Sequence, residues 1–146
     1  MKSRLIWEDQ GERTFGLVLE PGEDALATIT GFAAVAGIKT ASLTAVANFG
    51  RAELGVFDLK RQTFRTICIR RPCQALSLRG DIEQGDDGQP HLHIHAVMDV
   101  EGGATRGGHL LQAVVQTSLE AILVESPPRQ RPVERSGVGV ALFRVA

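Results

Sequence analysis

The alternation of hydrophobic and polar residues predicts β-strands over most of the chain. Between His91 and Met98 the two classes alternate strictly, which is the period of a strand with two different faces. One face suits a core and carries Leu92, Ile94, Ala96 and Met98. The other face carries His91, His93, His95 and Val97. This segment is therefore predicted to be a strand with one buried face and one face lined by imidazoles.

Further apolar or alternating runs predict the other strands, at residues 13–19, 41–47, 51–57, 64–69, 75–83, 114–124 and 138–145. Residues 48–50 between two of these runs predict a turn or a bulge. The polar stretch 84–89 is the strongest turn signal and predicts an antiparallel hairpin over residues 76–98. In its first strand, the alternation predicts three inward side chains, Leu76, Leu78 and Ile82.

Residues 23–36 predict a helix. Leu26, Ile29, Ala33 and Ala36 recur at helical spacing. We expect Glu23 and Asp24 in the first turn, where carboxylates suit the positive end of the helix dipole. Gly37 is placed to end the helix in a left-handed conformation. Gly31 lowers helix stability by up to ~1 kcal/mol relative to alanine, and we expect it to let the helix lie close to a sheet.

Length and composition indicate one globular α+β domain over residues 1–146, mainly antiparallel sheet with one or two packed helices. The formal net charge is −1, so the chain lacks the strongly basic balance that is typical of nucleic-acid-binding domains. Cys68 and Cys73 do not have the spacing of a redox or zinc motif. Neither a signal peptide nor a run of ~20 apolar residues is visible, and we expect a cytoplasmic protein with no membrane partner.

The four histidines of the chain lie between residues 91 and 109, and this clustering indicates a site. Imidazoles two residues apart on a strand are roughly 6.5–7 Å apart, so they can converge on one cation or line a pocket. We expect His93 and His95 to be joined by His109, with Gly107 and Gly108 supplying backbone angles that a side chain would forbid. Three histidines with an open fourth position describe a hydrolytic zinc site. The alternative for the whole face is a polar strand face open to water. The alternative for each histidine alone is a satisfied partner in a polar cluster, and His91 fits this one best.

Several segments together resemble a known family, the PPC ("plants and prokaryotes conserved") domain. They are His-Leu-His-Ile-His-Ala-Val at 91–97, Asp99 with Gly102-Gly103, Gly-Gly-His-Leu at 107–110 and Thr-Ser-Leu-Glu at 117–120, with weaker matches upstream at 21–24 and 42–50. The resemblance covers most of the chain. It implies an antiparallel sheet with helices, assembled as a homotrimer, and in some bacterial members a metal ion near a subunit boundary.

Carried onto this sequence, the resemblance implies that His93, His95 and His109 bind zinc or another divalent transition metal. Glu120 matches an acidic position of the family, where it is either an orienting residue or catalytic general base, or an exposed charge on a strand. Two functions stay open: a metal-binding regulatory module with nucleic-acid-associated protein partners, and a small metal-dependent enzyme that activates water.

Direct, sequence-specific DNA binding is not favoured. Plant members of the PPC family bind DNA through AT-hooks, whose core is Arg-Gly-Arg-Pro. The segments 70–72 and 129–132 contain arginine and proline without that glycine. The basic residues around 60–71 are interpreted as solvated charges on a hairpin.

The last expectation concerns assembly. The segments 40–57 and 114–124 carry apolar residues on both faces, and a single helical layer covers one face only. We therefore expect the protein to associate with copies of itself in a closed ring.

Overall fold

Seven strands and one helix make up residues 1–126, the part of the chain that the structure, a computed structural model, describes. The elements are β1 (Lys2–Asp9), β2 (Glu12–Leu19), α1 (Ala25–Ala36), β3 (Thr40–Asp58), β4 (Thr63–Ile69), β5 (Cys73–Gln84), β6 (Pro90–Glu101) and β7 (Ala104–Glu125). The α+β prediction is confirmed: a mainly antiparallel sheet carries one helix. The strand expected at 138–145 and the connector at 126–132 lie outside the described residues, apart from Ser126.

All strand pairs are antiparallel, and the sheet has the order β1-β2-β7-β6-β5-β3-β4 with an additional pairing between β7 and β3. One edge of β3 pairs first with β5 and then with β4, while its other edge pairs with β7. One edge of β7 pairs with β6 near its start and with β2 near its end. The strands β3, β5, β6 and β7 therefore form a closed ring of pairings.

The core is the inner face of this sheet together with the buried side of α1. Over residues 41–47 of β3 and 119–123 of β7 every second residue points inward, and these residues are alanine or leucine: Ala41, Leu43, Ala45, Ala47, Leu119, Ala121 and Leu123. Phe49 of β3 is also fully buried. Ala25, Ile29 and Ala33 of the helix are buried against β6 and β7, and Leu26 and Phe32 pack at the side. Within residues 1–126, no helix is long and apolar enough to cross a membrane.

The ends of α1 follow from its flanking residues. Asp24 is the N-cap, and its Oδ1 accepts a hydrogen bond from the Ala27 N–H at 2.9 Å. Gly37 adopts φ 68° and donates its N–H to the carbonyls of Ala33 and Ala34, as expected for a left-handed C-cap. Glu23 lies before the helix rather than in its first turn, and its carboxylate accepts hydrogen bonds from the amino group of Met1 and the Glu20 N–H. The expected dipole role of Glu23 is therefore wrong.

Two further expectations need correction. A Cβ built at Gly31 meets nothing within 4 Å, so this glycine does not mediate a close approach of helix and sheet. Leu76 does not point inward, since it is 49% exposed. The register of β5 against β6 shifts between Ala75 and Ser77, and the bulge turns Leu76 to the opposite face.

Several strands are longer than their sequence signals. The segments predicted at 41–47 and 51–57 are one strand, β3, and the interruption at 48–50 is a set of register shifts against β7, as the bulge alternative predicted. Similarly, β7 joins the Gly107–Gly108 region to 114–124 without a break. The strand β1 was not predicted, because every one of its residues is exposed and no apolar alternation marks it.

An ion pair holds the end of β7 to β2. The Arg13 guanidinium donates to both oxygens of the Glu125 carboxylate, from Nε at 2.6 Å and from Nη2 at 2.9 Å, and it also donates to the Ala36 carbonyl at 3.1 Å. The hydrogen bond to Glu125 raises the pKa of Arg13 above its usual value. The same side chain thus connects the helix C-terminus to both strands.

Replacing the exposed Gly31 with alanine should stabilise the fold. The substitution removes the helix penalty of glycine, and we expect a gain of up to ~1 kcal/mol in the free energy of unfolding. Urea denaturation measures it, with Gly37→Ala as the matched control. Gly37 requires φ 68°, so alanine there should cost roughly 1–2 kcal/mol. A loss of stability in Gly31→Ala would contradict the placement of this residue.

Candidate functional site

Three histidines lie together on the outer face of the sheet, which is the face opposite the core. His93 and His95 are exposed on β6, while Ile94 and Ala96 between and beside them are buried. His95 is paired directly with His109 of β7, so both side chains point to the same face. The alternation predicted for residues 91–98 is confirmed, apart from the partial exposure of Leu92.

The imidazole cluster, defined as His93, His95 and His109, has close ring contacts. The ring centroid of His109 lies 5.7 Å from that of His93 and 5.5 Å from that of His95. His91 does not join them. Its Nε2 lies 3.3 Å from Oδ1 of Asp87 in the turn between β5 and β6, as its assignment to the polar alternative predicted.

Two glycines allow the strands that carry these histidines to lie close to their neighbours. A Cβ at Gly80 of β5 would lie 2.2 Å from the backbone oxygen of His93, and one at Gly108 would lie 2.7 Å from the backbone oxygen of Gly55. The expectation for Gly107 and Gly108 was different. Neither has a positive φ, so backbone angles are not the reason for glycine there. The reason for glycine at position 108 is the tight space beside it.

The cluster has the donor type that zinc prefers, but its rings are spaced more widely than in a zinc site. Three imidazoles around a tetrahedral zinc, with Zn–N bonds of about 2.0–2.1 Å, bring their ring centroids to roughly 5 Å from one another. The separations of 5.5 and 5.7 Å are slightly larger. As the rings are oriented, no group of three His, Cys, Asp or Glu side chains within residues 1–126 is arranged to hold a metal ion. Binding therefore needs a rotation of these rings about their side-chain torsions.

His109 has an altered electrostatic environment. Partial burial lowers its pKa below the usual value, and the neighbouring His93 and His95 lower the pKa further. The neutral imidazole is thus favoured at this position. A neutral ring leaves a nitrogen lone pair free to accept a hydrogen bond or to bind a cation.

Glu120 does not lie in the imidazole cluster. It is exposed on β7, eleven residues along the strand from His109, and pairs with Val18 on one side and Val46 on the other. Counted across β5 and β3, it is three strands from β6, or roughly 14 Å at the usual strand spacing. Its carboxylate therefore stands in an apolar part of the outer face.

The carboxylate nearest the cluster in register is Asp81, which pairs directly with His93, while Arg79 pairs with His95. Both are exposed, and their partners depend on the hairpin register. Gly80 between them was missed altogether. A glycine inside an otherwise alternating strand is a signal of close backbone approach, and that signal was available in the sequence.

The comparisons with known proteins now identify the family. The family model of the Plants and Prokaryotes Conserved (PCC) domain matches residues 7–127. The chain belongs to this family. PPC and PCC abbreviate the same family name, so the resemblance indicated by the histidine and glycine segments is confirmed. No curated protein matches the PCC-domain chain.

Solved structures share this fold over most of the chain. A plant- and prokaryote-conserved (PPC) protein from Pyrococcus horikoshii is 27% identical, covers 92% of each chain and has a TM-score of 0.76. A metal-containing protein from Archaeoglobus fulgidus is 27% identical over 99% of this chain and 100% of its own, with a TM-score of 0.75. A protein from Ralstonia eutropha, provisionally described as DNA-binding, is 26% identical over 78% of each chain, with a TM-score of 0.69.

The lowered pKa of His109 predicts a loss of stability at mildly acidic pH. An unfolded histidine titrates near ~6.5, so on acidification the unfolded chain takes up this proton before the folded one does. Stability therefore falls as the pH drops below about 6.5, until the folded pKa is passed. Urea midpoints between about pH 7.5 and 5.5, measured with a chelator present, test this. The urea midpoint of His109→Gln should fall less over this pH range. The midpoint of the exposed control His91→Gln should fall as much as that of the wild type. An undiminished fall in His109→Gln would contradict the assignment.

Proposed function

We propose that this PCC-domain protein is a metal-binding regulatory module in which His93, His95 and His109 hold zinc or another divalent transition metal. The observation that carries the proposal is the convergence of three imidazoles from two paired strands, with ring centroids 5.5–5.7 Å from His109. Imidazole nitrogen is a preferred donor for zinc and for its transition-metal neighbours. The similarity to a metal-containing protein of Archaeoglobus fulgidus, over nearly the whole chain, supports it.

The chain's own residues have clear parts in such a site. His109 is held by the β6–β7 register, and Gly80 and Gly108 allow the strands to come close enough. Asp81, opposite His93, is placed to orient that ring through a hydrogen bond, as acidic residues commonly do beside metal-binding histidines. A zinc ion held by three imidazoles keeps a fourth position for water or for a partner's ligand, and it supplies Lewis acidity there.

A regulatory role is favoured over an enzymatic one. A metal-dependent hydrolase needs a general base near the metal-bound water, and Glu120, the residue expected in that role, lies among apolar side chains away from the imidazole cluster. The enzyme hypothesis thus loses the residue expected as its base, and we assign the nearby carboxylate, Asp81, to orienting His93. The Ralstonia eutropha relative supports an association with DNA. Because the net charge of the chain is −1, we propose that this association is through protein partners and not through direct, sequence-specific DNA binding.

The proposed assembly is a homotrimer, as the family resemblance implies. An apolar patch on the outer face supports self-association, and it consists of Val18, Val46, Ile122 and Val124, which are 41%, 56%, 45% and 39% exposed. These residues lie on the adjacent strands β2, β7 and β3. Exposed apolar side chains that cluster in this way on a small protein typically mark an interface. Burial against another copy would also remove Glu120 from water, so the interface must supply that carboxylate with a donor.

The metal proposal predicts stoichiometric binding that depends on three histidines. Protein purified without chelators should carry zinc or a similar ion at close to one per chain. His93→Ala should weaken zinc binding by more than about 100-fold, because even residues behind the ligands typically contribute 10–100-fold. Elemental analysis and competition with a zinc-binding dye measure this. His91→Ala, which lies outside the cluster, is the matched control and should bind as the wild type does.

The same site should release its metal in mild acid, since imidazole must be neutral to bind. Affinity should decline as the pH falls below about 6.5. A wild-type protein that takes up no metal from a zinc-containing buffer at pH 7.5 would refute the proposal.

The assembly proposal predicts that a charge in the apolar patch prevents association. Ile122→Lys places a cation among apolar neighbours, and we expect a smaller, folded species in light scattering. Val35→Lys is the matched control, because Val35 is 92% exposed on α1 and lies outside the patch. Leu119 and Leu123 are unsuitable for this test, since both are fully buried and lysine there would unfold the chain. A wild-type protein that is monomeric at micromolar concentration would show the proposal to be wrong.

A further inference from the structure

A cavity of about 550 Å³ lies over the β3–β4 pair. Its walls include two arginines, Arg51 and Arg70, together with Glu53, Cys68 and Gln112. A volume in the range of 300–1,000 Å³ is typical of small-molecule sites. The polar lining gives it a defined chemistry, since guanidinium and amide groups donate hydrogen bonds.

The two arginines are brought together by the strand register. Ala52 and Ile69 form the last pair of β3 with β4, and Arg51 and Arg70 take the next position on each chain segment. They are therefore neighbours on adjacent backbones, roughly 5 Å apart at their Cα atoms. Both border the same cavity. The sequence does not reveal this, because nineteen positions separate them and pairing depends on the hairpin at Asp58.

Neither guanidinium has an ion pair or a side-chain hydrogen bond with any residue of the described range 1–126. Glu53, the one carboxylate lining the cavity, lies with its Oε1 3.9 Å from the Cys68 sulfur instead. Like charges directly opposite each other across strands are destabilising. Two adjacent arginines without an acid between them thus leave a local positive charge that an anion would relieve.

We propose that this cavity binds a small phosphate monoester, whose phosphate lies between the guanidinium groups of Arg51 and Arg70. Each guanidinium presents a planar set of N–H donors that matches two phosphate oxygens. With Glu53 counted, the two arginines leave the lining with a net positive charge. A monoester presents three terminal oxygens and close to two negative charges at neutral pH, so both guanidinium groups can pair with its phosphate, whereas a carboxylate presents only two oxygens. The cavity leaves room for the organic part of the ester, and the amide of Gln112 is placed to donate to it.

A phosphodiester of a nucleic-acid backbone also has acceptor oxygens but carries a single charge, and it is the competing source of phosphate. The cavity favours the monoester because its phosphate offers three terminal oxygens to the two guanidinium groups, whereas a diester phosphate offers two. This inference does not rest on the metal site. The arginines border β3 and β4, whereas the imidazole cluster belongs to β6 and β7.

Calorimetric titration with phenyl phosphate at low ionic strength tests the proposal on the wild-type protein. We expect saturable binding of one ligand per chain, weakened at least about ten-fold in Arg51→Gln and in Arg70→Gln. Arg65→Gln is the matched control, since Arg65 is exposed on β4 and does not line the cavity. It should change affinity less than about two-fold. Arg51→Lys keeps the charge but loses the planar donor pair, so its affinity should lie between those of Arg51→Gln and the wild type.

Three outcomes with the wild type and the arginine variants would overturn the proposal. They are no saturable binding by the folded wild type, equal weakening by all three glutamine variants, and binding of a short DNA duplex in preference to phenyl phosphate. The last of these would assign the arginines to a nucleic-acid backbone. His93→Ala should bind phenyl phosphate as the wild type does, and loss of binding in that variant would place the phosphate on the metal site. Circular dichroism of each variant confirms that it is folded.

Discussion

The pairing of β3 with β7 is the constraint on which the rest of the structure depends. These are the longest strands of the described chain, and each uses both of its edges along its length. Because β7 also pairs with β6 near its start, and β5 connects β6 back to β3, the sheet closes on itself. The directly paired inward residues Ala45 and Ala121 are both buried and small, so they take up little of the space that the closed sheet encloses.

The sequence predicted local structure well wherever a single period ran through a segment. The alternation at 91–98 defined both faces of β6, and capping residues located the helix to within two positions. It could not predict that 41–47 and 51–57 are one strand, since a bulge opposite β7 interrupts the alternation without ending the strand. It missed β1 because an edge strand with both faces exposed needs no apolar period. The strand order could not be predicted from the sequence either, because it depends on pairings between segments that are distant along the chain.

For the candidate site too, local spacing was informative, whereas the pairing of distant strands could not be predicted. Spacing alone indicated that His93 and His95 share a face, and the glycine pair before His109 drew attention to that residue. The distances between rings follow from the β6–β7 register, which no local pattern encodes. Glu120 was selected by family resemblance, and the fold places it in the apolar patch instead. The pairing of Arg51 with Arg70 likewise exists only once the β3–β4 hairpin is formed.

Because of the close approach at Gly80, neighbouring positions of β5 and β6 differ greatly in the substitutions that they tolerate. His93 and His95 are exposed, so many side chains could replace them without disturbing the core. Gly80, which lies opposite the buried Ile94, has no such freedom, because any side chain would meet the His93 backbone. A lineage could therefore lose the imidazoles and keep the fold, or regain them by single substitutions. The backbone arrangement that makes a site available would outlast the site itself.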